Sequence, residues 1–297
     1  MRFVIAGASG FLGTALRAAL ARRGHEVVRL VRADSPSTMD SRWDPYNGMV
    51  DRDVIGAADV VVNLAGAQLA RPWTSSYRQT ILKSRVATTR TLAEAVAAAD
   101  DKPALIAQSA IGVYGSDRGD TVLEETTPRE GEGFLRRVVE KWEAACAPAE
   151  QAGARVCVLR TGVVLDKRGG VLQLMLPLFR LGLAGRLGSG RQYFSAVSLD
   201  DWVDATIFLA EHDSAAGPFN VVGPQPPTNA EFTKALAGAL HRPAKLAVPA
   251  VVLRTALGEA SGELLGSLRV FPVTVKEAGY SFQHRTIAEI VQAALAR

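Results

Sequence analysis

The chain has 297 residues, 48% hydrophobic and 22% charged, and its 34 Lys/Arg and 30 Asp/Glu leave a net charge of +4. That length can hold a large core with a smaller appended lobe, and the composition excludes a disordered chain. No Lys/Arg block and no uncharged apolar stretch of membrane-spanning length stands out, so neither a nucleic-acid nor a membrane partner is expected.

The first third alternates apolar runs with helical spacing, the pattern of βαβ units and a parallel sheet. Residues 3–6 read as a strand. Residues 14–23 carry Leu16, Ala19 and Leu20 at helical spacing, closed by Gly24 as a C-terminal cap. Strands follow at 26–31 and 60–64, then a long helix over roughly 76–99 and a strand at 104–107. Another helix passes through Trp142 and Glu143 to Gln151, ahead of a strand at 155–159. The runs show little alternation, as expected for strands covered on both faces. From Asp166 onward, glycines at 169, 170, 182, 185, 188 and 190 mark loops around the apolar segment 171–181. Residues 219–222 read as a last strand, prolines 224, 226 and 227 as a linker, and the tail to Arg297 as mostly helical.

These elements predict an α/β protein, a Rossmann doubly wound parallel sheet with a smaller, mostly helical C-terminal lobe. The expected boundaries are 1–222 for the nucleotide-binding domain, with 166–194 contributing to the substrate lobe, and 223–297 for the C-terminal lobe. Cys146 and Cys157 fall in a predicted helix and a buried strand and read as inert hydrophobes of a reduced chain. With no C-x-x-C and four dispersed histidines, no metal is expected. The apolar run after Met1-Arg2 breaks at Gly7, too short for a secretory signal, so a soluble cytoplasmic protein is expected.

Between the first strand and helix stands Gly7-Ala8-Ser9-Gly10-Phe11-Leu12-Gly13. Strand, G-x-x-G-x-x-G and helix form the arrangement that pyrophosphate binding requires. The first glycine permits the turn, the second lets backbone approach phosphate, and the third lets helix pack on strand. The helix start supplies free N–H groups and partial positive charge. A bare triplet also serves an ordinary βα turn; here both flanks are present. Gly7, Ser9, Gly10, Phe11, Leu12 and Gly13 are therefore candidate cofactor contacts. The second strand ends in Leu30-Val31-Arg32, with no carboxylate until Asp34. An acid there would suit the ribose of NAD, whereas Arg32 suits the 2′-phosphate of NADP, so NADP(H) is the expected cofactor. A solvated loop arginine is the alternative for Arg32.

These residues resemble the extended branch of the short-chain dehydrogenase/reductase superfamily. The glycine spacing, Asn63-Leu64-Ala65-Gly66, Val113-Tyr114-Gly115 and Asp200-Asp201 ahead of a helix all fit it. More narrowly, the chain resembles the "epimerase family protein" group with its appended C-terminal domain. Trp43-Asp44-Pro45, Arg71-Pro72-Trp73-Thr74, Ser84-Arg85-Val86-Ala87-Thr88-Thr89 and Lys141-Trp142-Glu143 carry that likeness. So do Arg160-Thr161-Gly162-Val163, Leu187-Gly188-Ser189-Gly190 and Gly279-Tyr280-Ser281-Phe282. The resemblance implies that Leu64, Ala65 and Gly66 pass beneath the ribose and diphosphate. It implies that Arg85 reaches in from the long helix and that Gly162 and Val163 lie near the nicotinamide.

The superfamily's hydride chemistry usually depends on Tyr-x-x-x-Lys with a Ser or Thr. Registering the family's helix glutamate on Glu143 puts the Lys position at Val139 and the Tyr position at Leu135, and the serine position falls on Ala110. None of the three can transfer a proton. Ser109, Tyr114, Lys141, Glu124 and Glu125 lie nearby, but no catalytic residue is assigned. Arg186, Gly188, Gly190 and Arg191 occupy places where extended relatives hold substrate, while Ala196 and Ser198 replace the group's usual Trp and His. The expected function is an NADP(H)-binding, epimerase-like oxidoreductase with an atypical active site and a small-molecule substrate. The alternative is a non-catalytic NADP(H)-dependent regulatory or scaffold protein, a role that cell-division labels on related sequences suggest. Extended relatives often form homodimers through two long helices, though no apolar seam stands out here.

Overall fold

The computed structural model describes residues 1–35, 37–244, 246–258 and 260–296. The chain opens with β1 (Arg2–Ala6), buried from Phe3 onward, and passes through the glycine loop into α1 (Phe11–Arg22). This helix begins at Phe11 rather than Thr14 because Gly10, inside the loop, is its N-cap. β2 (Glu26–Val31) is followed by β3 (Asp40–Arg42), a strand without an apolar signal. Asp40 takes two hydrogen bonds from Arg29 of β2, at 2.5 and 2.6 Å, and this pairing supplies what the strand lacks in apolar residues. The guanidinium and the Ser35 hydroxyl hold the Asp40 carboxyl below its ordinary range.

A short α2 (Arg52–Gly56), capped by Asp51, precedes β4 (Val60–Asn63). α3 (Ser75–Ala98), capped by Thr74, buries Ile81, Arg85, Thr88, Leu92 and Val96 at spacings of three and four. β5 (Ala104–Ala110) and a 3-10 turn at Ile111–Tyr114 lead to β6 (Val122–Leu123), α4 (Phe134–Ala144) and α5 (Ala147–Gln151). β7 (Val156–Thr161), β8 (Val163–Leu165), α6 (Gly170–Arg180) and β9 (Gly185–Leu187) follow. Next come β10 (Ala196–Ser198), α7 (Leu199–Glu211), β11 (Gly217–Val221) and α8 (Asn229–Ala239), the last opened by a Thr228–Glu231 capping box. The tail holds β12 (Leu246–Val248), α9 (Ala250–Leu257), α10 (Ala260–Leu265), β13 (Arg269–Val270), α11 (Val273–Glu277) and α12 (Ile287–Ala296).

The main sheet has seven strands in the order β11-β7-β5-β4-β1-β2-β3. Its register aligns Ala6 with Leu30 of β2 and with Asn63 of β4, so the connections leaving these three strands start at one level. Parallel α/β sheets bind their ligands at that carboxyl edge.

The chain divides into two compact units. The first comprises Met1–Ser109, Val138–Leu159 and Val203–Pro218, and the second Ala110–Arg137, Arg160–Trp202 and Phe219–Arg297. The core of the first packs Val4, Val28, Val61, Leu105 and Val158 with Leu92 and Val96. In the second, Phe179 and Phe232 pack with Leu172, Leu176 and Ile290. The proline-marked segment is not a free linker: Phe194 N–H donates to Pro227 O at 2.7 Å and Asn229 N–H to Gln192 O at 2.8 Å. Buried Asp201 ties the tail down by accepting from Tyr280 Oη (3.0 Å), Gln283 N (2.7 Å) and His284 N (3.0 Å). Among the described residues, no helix is long and apolar enough to cross a membrane.

Candidate functional site

In the first unit, three features of the β1–α1 connection require glycine. Gly7 has φ 77°, and a Cβ there would lie 2.6 Å from the carbonyl carbon of Leu64. A Cβ on Gly13 would stand 2.3 Å from Gly7 O, closer than any real contact. At Gly10 a Cβ would meet only Gly7 O, at 3.3 Å, so this backbone borders open space. Gly10 caps α1 without a side chain, and no acidic residue occupies the first turn. Among the described residues, the N–H groups of that turn thus have no side-chain cap and no acid within the turn, which suits an incoming phosphate. Ser9 and Gly10 are exposed, Phe11 and Leu12 half-buried and Gly13 buried.

The chain leaving β4 forms the facing wall. Asn63 is fully buried; its amide donates to Thr89 Oγ1 at 2.8 Å, while its carbonyl oxygen accepts from Ala65 N at 3.1 Å. Ala67 N donates to Ser84 Oγ at 3.0 Å. Residues 64–67 are thus braced from both ends, with half-buried Leu64 and Ala65 and exposed Gly66 held in extended chain.

Arg85 of α3 approaches this wall. Its guanidinium carbon would lie 3.4 Å from a Cβ on Gly66, and it stacks over Trp142 at 5.1 Å from the ring centroid. The side chain is 9% exposed, donates to Ile81 O at 3.2 Å and has no carboxylate partner among the described residues. Burial lowers its pKa to about 10, so it stays cationic at neutral pH. A buried guanidinium facing only a carbonyl and an indole is an electrostatic vacancy for an anion. Arg32, just beyond β2, is exposed and has no hydrogen-bond or ion-pair partner among the described residues, whereas Asp34 pairs with Arg42 at 2.9 Å. Glycine cradle, free helix start and orphaned cation together fit a dinucleotide diphosphate.

Eleven of the predicted contacts, from Gly7 to Arg85, thus belong to the first unit. Gly162 and Val163 belong to the second, where they adjoin Ser195. A Cβ on Gly162 would lie 2.4 Å from Ser195 O, and Val163 N donates to that oxygen at 2.9 Å. Trp142 and the hydroxyls of Ser84, Thr88 and Thr89 escaped sequence reasoning as supports. Hydroxyls at 84, 88 and 89 on the buried stripe of a long helix were the available signal.

The positions surrounding the expected proton-transfer groups are occupied as follows. Ser109 donates to Glu143 Oε1 at 2.7 Å, both side chains being buried, which places the helix glutamate beside the end of β5. Val139 is buried and Leu135 half-buried on the same helix, and Lys141 is exposed. In the second unit, Tyr114 is fully buried, donates to Asn220 Oδ1 at 2.9 Å and receives Arg160 Nη1 at 3.1 Å. Burial raises its pKa. Glu125 is buried too; its Oε1 accepts from Asn220 N at 2.8 Å and Thr274 N at 3.3 Å, and burial raises its pKa. Arg186 donates to Ser189 O, and Arg191 is exposed. The thiols of Cys146 and Cys157 are free, buried and pushed up to about 12 and about 11, which leaves them unreactive at neutral pH.

Residues 3–223 match the NAD dependent epimerase/dehydratase family and residues 248–294 a domain of unknown function, DUF1731. An epimerase family protein of Mycobacterium leprae is 44% identical over 99% of this chain and 95% of its own. The human epimerase family protein SDR39U1, whose crystal structure holds NADPH, is 31% identical with a TM-score of 0.89, covering 98% of each chain. A nucleoside-diphosphate sugar epimerase from Corynebacterium glutamicum is 34% identical with a TM-score of 0.80, covering 99% of this chain and 58% of that one. This chain, with its glycine cradle and NAD(P)-binding fold, belongs to the NAD dependent epimerase/dehydratase family.

Proposed function

We propose that this protein is an NADP(H)-dependent, epimerase-like oxidoreductase of a small metabolite, working without the Tyr-x-x-x-Lys dyad. The observation that carries the reading is Arg85, a buried cation with no carboxylate, set beside Gly66 and the chain that faces the glycine cradle. Arg32 supports NADP(H) over NAD(H), as does the NADPH in the related human structure. The cofactor, when bound, supplies hydride chemistry. This chain's residues would bind and orient it: the α1 start and Arg85 would hold its diphosphate, and Arg32 its 2′-phosphate. Leu135 and Val139 stand where the dyad would, so the proton must come from another group or from the substrate.

A second reading, a regulatory or scaffold protein that responds to NADP(H), is favoured by those same two apolar residues. Stereospecifically C4-deuterated NADPH, incubated with the protein and a panel of nucleotide sugars and small ketones, separates the two. Deuterium transfer from one face to a panel member is expected. NADPH binding with no transfer to any member favours the regulatory reading.

A further inference from the structure

α6 is apolar on both faces. Leu172, Leu176 and Phe179 enter the core of the second unit, whereas Leu174, Leu178 and, just past the helix, Leu181 are more than half exposed. These last three follow an i, i+4, i+7 stripe. A helix apolar all round is ordinarily enclosed, and this one is covered on one side only. The stripe continues beyond it. Leu183 follows, and the β9–β12 ladder, pairing Gly185 with Leu246, brings in Leu246 and then Val251 and Val252 at the start of α9. All four are more than half exposed.

The charge along the segments that carry this surface is one-sided, between the flanking acids Asp166, Glu231 and Glu259. Residues 167–191 and 232–258 contain nine Lys/Arg and no Asp or Glu, in a chain whose totals are 34 and 30. The remainder is therefore net negative. Arg180, Arg186, Arg191 and Arg242 are exposed and have no carboxylate partner among the described residues. Two of them donate to backbone carbonyls of the same unit: Arg242 Nε to Arg180 O at 2.9 Å and Arg186 Nη1 to Ser189 O at 2.9 Å.

We propose that this face of the second unit docks on an anionic phospholipid surface, the leucines entering the acyl boundary and the arginines meeting the headgroups. Exposed aliphatics on segments that carry cations and no acids suit that interface on both counts. A second copy of the chain fits poorly, because an isologous contact would set cations against cations. Nucleic acid fits poorly too, because its binders offer exposed aromatic platforms, and the exposed apolar side chains here are aliphatic. That no helix among the described residues is long and apolar enough to cross a membrane bears on spanning alone; peripheral docking needs none.

Co-sedimentation of the full-length protein with vesicles tests this. Vesicles of phosphatidylcholine with phosphatidylglycerol should bind at least about tenfold more strongly than phosphatidylcholine alone, and less as salt rises. Leu178→Glu and Arg180→Glu should each reduce binding at least about tenfold, with unfolding midpoints kept near wild type because both side chains are exposed. A double variant, Arg186→Glu with Arg191→Glu, provides an independent arm should either single variant misfold. Equal binding to both vesicle types, no binding to either, or a wild-type dimer that Leu178→Glu dissociates would overturn the proposal.

Discussion

Glu125 shows how a single buried carboxyl can shape the response of the fold to pH. Its Oε1 receives two backbone N–H groups, while Oε2 has no partner among the described residues. Burial is the largest influence on its pKa and raises it above the ordinary 4.5. A carboxyl raised in the folded state stabilises fully below its unfolded value, and that contribution is lost as pH rises through the folded value. Glu125→Gln removes the ionisation. Urea unfolding at pH 4.5 and pH 7.5 should therefore show the variant gaining on wild type at the higher pH; the opposite trend would contradict this account. Arg85 poses the complementary case, a buried cation that keeps its charge against an indole face and waits for an anion.

The element that positions the site is the short extended run after β4. Its shape depends on Asn63, which reaches Thr89 on α3 and Ala65 on its own chain. Asn63→Leu leaves the Ala65 N–H without its side-chain acceptor and removes the donor to Thr89. The expected cost is about 2–4 kcal/mol in urea unfolding, with NADPH binding weakened about tenfold as the wall loosens. Unchanged stability and affinity would remove the brace from the account. Sequence reading caught this run through the family resemblance carried by Asn-Leu-Ala-Gly, but not what braces it, since hydroxyls on a helix stripe carry no mark of which strand end they hold. β3 was missed for a related reason. Asp40-Ser41-Arg42 has no apolar alternation, and its stability comes from Arg29, 11 residues away along the sequence. Apolar strands such as Val60–Asn63, by contrast, declare themselves.

At the scale of the molecule, two cores carry two different kinds of surface. The first unit presents a cradle built from glycine backbone, and its strand register starts the connections after β1, β2 and β4 at one level. The parallel sheet was legible because each βα unit repeats the same pattern of apolar strand and helix. The second unit's organisation was less legible: its segments are interleaved with those of the first, and short strands such as β9 and β12 pair across some 60 residues. Its buried polar centre, joining Tyr114, Asn220 and Glu125, likewise has no local sequence signal. The one-sided charge of residues 167–191 and 232–258 was averaged away in a net charge of +4.

The claim on which the functional reading rests is that the first unit's cradle holds a phosphorylated dinucleotide. Calorimetric titration of the full chain with NADPH and NADH tests it most directly. A Kd at or below tens of micromolar is expected for NADPH, about tenfold or more weaker for NADH, with Arg32→Glu narrowing that gap and Arg85→Met weakening both. No binding heat for either cofactor at about 1 mM would contradict it.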